Sequence, residues 1–364
     1  MFRNCTSLTT APRLPATTLI NECYRGLFYG CTNLNSITLD YTGNFSTTYF
    51  NYWVSGVAST GTFYYNGSDT TTGVSAIPTG WTVLPTPIPI PRQELCFTAE
   101  EPGSDVTMMP MGDAPAVSLE YSTNGVTWSP FVVGSTTVTL ANIGDKMYMR
   151  ATSSGNTGMG ASYSDYNQFV MTGKISASGN VDTLLDQNGN ATLTYCCYYG
   201  LFKDCTSLTT APELPATTLE DGCYKEMFFG CSSLTTAPEL PATKLAYECY
   251  ESMFNGCTSL TQAPTLPATT LADSCYLGMF TMCESLISAP ELPATTLASG
   301  CYGSMFNGCT SLTTAPELPA TTLANGCYSN MFLGCTSLTQ APAIKTYTPE
   351  LYAFDSMLNV FEGA

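Results

Sequence analysis

Apolar positions in the C-terminal half recur every 26 residues. In Cys309–Gly334 (CTSLTTAPELPATTLANGCYSNMFLG), Leu312, Ala315, Leu318 and Leu323 punctuate a Thr-rich background, and Tyr328, Met331 and Phe332 follow. An earlier unit holds Leu208, Ala211, Leu214, Leu219, Tyr224, Met227 and Phe228 at the same places. One cysteine recurs at Cys205, Cys231, Cys257, Cys283, Cys309 and Cys335, and a second at Cys197, Cys223, Cys249, Cys275, Cys301 and Cys327. A single unit has no second layer in which to bury these side chains, so the fixed spacing predicts units that stack into a solenoid. Each apolar position then becomes a row, with rungs about 4.8 Å apart if they pair as parallel strands.

Residue type predicts the local conformation. Pro316 and Pro319 bracket Glu317-Leu318, and the same Pro-x-Leu-Pro recurs from Pro212, Pro238, Pro264 and Pro290. Prolines remove backbone donors, which predicts a short interrupted strand or an extended arch. Ala320–Leu323 (ATTL) reads as a strand because of its threonines. From Cys327, apolar groups fall at i, i+1, i+4 and i+5, a spacing that suits one or two helical turns ended by Gly334.

These residues carry a family resemblance. The C-x-x-L-x-x-A-x-x-L-P run, the aromatics near CY-x-x-MF and the closing Gly-Cys resemble the BspA-like leucine-rich repeat family, from Cys197 to Phe361 and from Met1 to about Leu39. The units are a few residues longer than the family's usual form, with Cys-Tyr and Met-Phe where Ala-Phe is typical; Ala353-Phe354 restores that pair. The resemblance implies a solenoid of short strands plus short helical turns, and bacterial surface proteins that bind host or matrix proteins. Such arrays also occur in phage-encoded proteins.

The remaining segments differ in texture. Residues 1–39 read as a partial repeat array; because Met1-Phe2-x-x-Cys5 aligns with Met331-Phe332-x-x-Cys335, the expectation is a fragment or a neighbouring chain covering that end. Residues 40–84, aromatic and Gly/Thr-rich with Trp53 and Trp81, read as an array cap. Residues 85–91, within LPTPIPIP, read as a semi-rigid polyproline linker. Residues 92–172 read as an immunoglobulin-like all-β sandwich, with strands at Leu95–Ala99, Ala116–Ser122, Thr136–Leu140 and Lys146–Thr152, a hairpin turn at Asn124-Gly125 and Trp128 as a core anchor. Residues 173–196 read as a transition capping the second array through Ile175, Val181, Leu184 and Leu185, and residues 197–364 as the main solenoid.

Composition narrows the function. With 28 Asp+Glu against 11 Lys+Arg and a formal charge of −17, nucleic acid and anionic lipid are poor partners. No apolar run approaches the ~20 residues of a membrane span, and no signal-peptide core follows Met1. Only 11 % of residues are charged, and the Thr/Ser/Gly/Asn surface suits a secreted or particle-exposed protein.

Histidine is absent, which excludes Ser-His-Asp and Cys-His catalysis and His-ligated metals. No phosphate-binding glycine motif is present. The cysteines alternate at gaps of 18 and 8, not the short spacing of zinc ligands, so they read as reduced thiols packing as small hydrophobes. Asp186-Gln187-Asn188-Gly189-Asn190 lacks the glycine position and the twelfth-position acid of a calcium loop. Glu213, Glu239, Glu291 and Glu317, interrupted by Thr265, form an acidic row: a solvated face, a divalent-cation site, or a stripe that reads a basic partner. The variable triplets Glu220-Asp221-Gly222 to Ala324-Asn325-Gly326, and the pairs from Lys225-Glu226 to Ser329-Asn330, are further places for specificity.

The expectation is a non-enzymatic extracellular or surface-exposed adhesion protein that presents a solenoid to a protein or glycan, with Glu213, Glu239, Glu291 and Glu317 as the ligand-facing stripe and no catalytic residue, cofactor or metal. The alternatives are a structural stalk, a phage virion host-recognition component, or a hydrolase working through carboxylates.

Overall fold

A computed structural model of the chain describes residues 2–342, apart from 13, 15, 17, 40, 66, 85–93 and 190. The linker expected at 85–91 and the Ala353-Phe354 pair lie outside the described residues. The chain divides into two compact units, Met1–Pro91 and Arg92–Ala364.

The first unit holds a parallel sheet of β1 (Ser36–Leu39), β2 (Thr62–Tyr65) and β3 (Thr82–Leu84), in that order. Strand propensity decides these short elements: β1 and β2 alternate inward Ile37, Leu39, Phe63 and Tyr65 with more exposed Ser36, Thr38, Thr62 and Tyr64, while the three residues of β3 are exposed. A single turn of helix, α1 (Thr47–Phe50), starts where the Ser46 side chain accepts from the Thr48 N–H. Phe28, Phe50, Trp53 and Phe63 are fully buried at its centre. The two indoles find acceptors at the carbonyls of Ala76, 2.8 Å from Trp53 Nε1, and Ala58, 2.7 Å from Trp81 Nε1. The repeat spacing disappears from the sequence after Tyr41, yet the backbone keeps it. Ser36 pairs with Thr62, and the N–H groups of Gly26, Phe28 and Gly30 donate to the carbonyls of Asn51, Trp53 and Ser55.

The second unit opens with two sheets. A three-stranded antiparallel sheet runs β10 (Tyr166–Met171), β5 (Ser104–Met111), β8 (Thr137–Leu140). A six-stranded mixed sheet runs β12 (Leu208–Thr210), β11 (Ile175–Ser178), β4 (Leu95–Ala99), β9 (Lys146–Ala151), β6 (Leu119–Ser122), β7 (Ser129–Phe131). Their inward residues, among them Phe97, Met108, Met147, Met149 and Phe169, share one core. Two details of the sequence reading fail here. Asn124-Gly125 is not a two-residue hairpin: Tyr121 pairs with Ser129, and Asn124 Oδ1 accepts from the N–H groups of Val126 and Thr127, turning a longer loop. Trp128 is only half-buried rather than a core anchor; the Arg150 guanidinium lies 3.7 Å from its ring centroid and is itself held by Glu120 and Glu94.

From Cys197 the repeats extend this core. The side chain that starts the series belongs to the sheet: Phe169 stacks on Phe202 with centroids 5.0 Å apart, and Phe202 on Phe228 at 5.3 Å. β11 pairs in parallel with β12, Ile175 opposite Leu208. Bridges then join equivalent residues of neighbouring units, as at Thr210–Thr236, Gln262–Ser288 and Ser288–Thr314.

The expected fold class, a repeat solenoid of short strands plus short helical turns with an intervening all-β sandwich, is overturned. Regular structure among the described residues is almost entirely strand in mixed sheets, and no helical turn lies between short strands in the repeats from Cys197 onward. The cause is a backbone conformation that recurs every four residues. Gly222, Glu226 and Gly230 have φ of 61°, 53° and 71°, and Gly300, Ser304 and Gly308 have 61°, 52° and 74°. A left-handed residue at every fourth place excludes an α-helix. Between those places the N–H groups of Cys223, Lys225, Met227, Phe229 and Cys231 each donate three residues back, at 3.1–3.2 Å. The alternate N–H groups of Gly222, Tyr224, Glu226, Phe228 and Gly230 donate to the next unit at Tyr247, Cys249, Glu251, Met253 and Asn255, at 2.7–3.0 Å. Apolar pairs four residues apart therefore reflect linked tight turns, a period that eight residues cannot separate from the 3.6 of a helix.

Candidate functional site

The Pro-x-Leu-Pro segment positions the carboxylate row. Its first proline and its leucine are buried, and the residue between them faces solvent. Leu214, Leu240, Leu266, Leu292 and Leu318 are each at most 4 % exposed, so their burial turns the intervening side chain outward as in any extended chain. Glu213, Glu239, Glu291 and Glu317 all take this outward place, with Thr265 interrupting.

Neighbouring segments enclose grooves with proline walls. Glu213 and Glu239 share one of about 390 Å³ with Pro212, Pro215, Pro238 and Pro241. Thr265 and Glu291 share one of about 350 Å³. Glu291 and Glu317 share a third of about 420 Å³, walled by Pro290, Pro293, Pro316 and Pro319. The structure thus brings the four predicted carboxylates together pairwise. No lysine or arginine lines these grooves, and none of the four glutamates enters an ion pair among the described residues. No group of three or more Cys, Asp or Glu able to hold a metal ion occurs among the described residues. The arrangement offers acceptors for ammonium, guanidinium or hydroxyl donors over flat apolar walls. Apart from the Thr265 hydroxyl, only carboxylates bring polar side-chain atoms to these grooves.

Several residues of the variable triplets and pairs are engaged within the protein. Asp221 Oδ1 accepts from the Tyr247 N–H, and Asp273 Oδ1 from the Ser299 N–H, both at 2.9 Å. Lys225 Nζ lies 2.7 Å from Glu248 and 3.0 Å from Glu251, beneath the Tyr163 ring. Lys203 pairs with Glu226 at 2.7 Å. These side chains tie neighbouring segments together.

A second concavity, which the sequence reading missed, lies where a 3-10 turn (Val181–Leu184) meets the first repeat. It has a volume of about 420 Å³ and is lined by Asp182, Leu193, Pro215, Thr217, Thr218 and Glu220 among others. Asp182 is 3 % exposed. Its Oδ1 accepts from the Tyr198 hydroxyl at 2.9 Å, and burial holds the carboxyl up at about 6 despite that bond. The next ring in the row, Tyr224, stacks 5.7 Å from Tyr198, and its buried hydroxyl has no hydrogen-bond partner among the described residues. Nothing in the spacing of Asp182 announces it; the only local signal is an Asn180 cap two residues before it.

The cysteines form two buried rows. In the row from Cys231 to Cys335, each thiol donates to a phenylalanine carbonyl of the preceding unit, from Phe202 to Phe306, at 3.0–3.2 Å. In the other, burial pushes the Cys249 and Cys301 thiols up to about 12. Cys5 and Cys23 are exposed.

No protein-family model, curated protein sequence or solved structure matches this chain.

Proposed function

We propose that this chain is a non-enzymatic binding protein, displayed outside a cell or on a virion, that reads an extended protein or glycan ligand along its proline-walled grooves. The observation that carries the reading is the recurrence of one acceptor-bearing groove along the repeats, in place of a single convergent site. Catalysis needs groups whose environments differ; a row of equivalent, solvent-facing carboxylates instead suits a ligand that itself repeats. Each exposed carboxylate contributes little alone, and several along one chain add through effective concentration. The likeness of the repeat residues to BspA-like surface proteins supports the same reading.

The test is immobilised-ligand binding across panels of matrix proteins and glycans, comparing the chain with a variant carrying Glu213→Gln, Glu239→Gln, Glu291→Gln and Glu317→Gln. The expected result is saturable binding to at least one ligand, weakened about tenfold or more in the variant, which corresponds to about 1.4 kcal/mol. Binding that is unchanged in the variant, or no binding on either panel, would contradict the proposal and leave a spacer role.

A further inference from the structure

We propose that the cavity beside Asp182 is a binding site for a small molecule carrying a protonated primary amine. The first argument is charge balance. Several partly buried charges of the second unit are paired, Lys225 with Glu248 and Glu251, Arg150 with Glu120 and Glu94, Lys203 with Glu226, and partly buried carboxylates without a cation, such as Asp105 and Asp165, each take more than one hydroxyl or backbone donor. Asp182 is more deeply buried than any of these and has no cationic neighbour among the described residues. One neutral hydroxyl, that of Tyr198, reaches its carboxylate among the described residues. Burying a carboxylate with so little compensation is costly, and a fold retains such a group at a cavity wall most readily where a ligand completes it.

The second argument is the shape and chemistry of the wall. The volume, about 420 Å³, lies in the range of small-ligand clefts. Asp182 and Glu220 supply two carboxylates to it, Thr217 and Thr218 bring hydroxyls, and Leu193 and Pro215 offer apolar surface. An ammonium group donates three hydrogen bonds, which this set can accept, while the aliphatic wall covers the attached carbon chain. A divalent metal fits less well, since hard cations take six or more oxygens and no metal-holding group of three occurs among the described residues. The site shares the Pro215 wall with the first groove but none of the groove glutamates, and its test reads Asp182 and Glu220 instead, so it stands or falls independently of the proposed function.

Two sources of the amine are distinguishable: an amino sugar and a lysine side chain. Calorimetric titration of the full chain would use D-glucosamine and Nα-acetyl-lysine amide, each against its N-acetylated, uncharged counterpart. The expected result is saturable binding of at least one amine, at least tenfold tighter than its acetylated form. Asp182→Asn, which keeps an acceptor for Tyr198, should weaken that binding at least tenfold. Glu220→Gln, at an exposed position, should weaken it severalfold and serves if the first variant does not fold. Failure of both amines to bind at millimolar concentration, equal binding of the acetylated forms, or unchanged affinity in whichever variants fold would overturn the assignment.

Discussion

Asp182 shows how one residue can set a pH dependence for the whole fold. Its carboxyl sits at about 6 in the folded chain against roughly 3.9 in an unfolded one. A group whose folded value is raised contributes stability that is fully present below the unfolded value and is lost as pH rises through the folded one. Stability should therefore decline between pH 4 and 6 through this group, by an amount on the order of 2–3 kcal/mol. Asp182→Asn removes the titration while retaining an acceptor for Tyr198. Urea unfolding midpoints should show the variant gaining on the parent chain as pH rises from 4 to 7, and a parallel pH profile would sink the account. The left-handed residues are the other decisive single positions. Glu226, Ser252 and Ser304 adopt φ of 52–53° without being glycine, a local cost on the order of 1 kcal/mol each that the bonds to neighbouring segments must offset.

At the scale of elements, the two thiol rows and the aromatic rows give the repeats their interior. Tyrosine rings from Tyr198 to Tyr328 stack at 5.7–6.0 Å, and phenylalanine rings from Phe202 to Phe332 at 5.3–5.8 Å. Thiols so enclosed are poor nucleophiles, because burial disfavours the thiolate. Of the 17 cysteines, a disulfide-exchange reagent should titrate about two rapidly in the native chain, Cys5 and Cys23, and the rest only on unfolding. Rapid reaction of the repeat thiols would show that the rows are open.

Several elements were legible in the sequence for simple reasons. The alternation of Leu95–Ala99 marks a strand that the structure places at the same bounds. The outward place of Glu213 and its equivalents follows from leucines that must point in. The turn segments were misread because four-residue and 3.6-residue periods coincide over so short a run, and only the backbone angles separate them. Ser104–Met111 and Tyr166–Met171 were missed because Pro110, Asn167 and Gln168 disguise paired strands. Asp182 was invisible because its burial depends on Tyr198 and on chain folded over it from the first repeat.

Across the whole chain, one backbone rule serves both compact units. Phe28 donates to Trp53 in the first, where little sequence likeness remains, and Phe228 to Met253 in the second, where the units are nearly identical. The pattern of alternating bonds, one three residues back and the next to the following unit, is thus more durable than the residues that display it. Side chains at the outward places are free to vary or to recur, which lets a row of carboxylates persist over four of the five Pro-x-Leu-Pro segments of the second unit. The most direct test is measurement of through-hydrogen-bond scalar couplings by NMR on isotope-labelled protein. The account predicts couplings from the amide nitrogen of Phe228 to the carbonyl carbon of Met253, and from that of Met227 to Tyr224. Coupling of the Phe228 amide to the carbonyl four residues earlier, the mark of a helical turn, would contradict it.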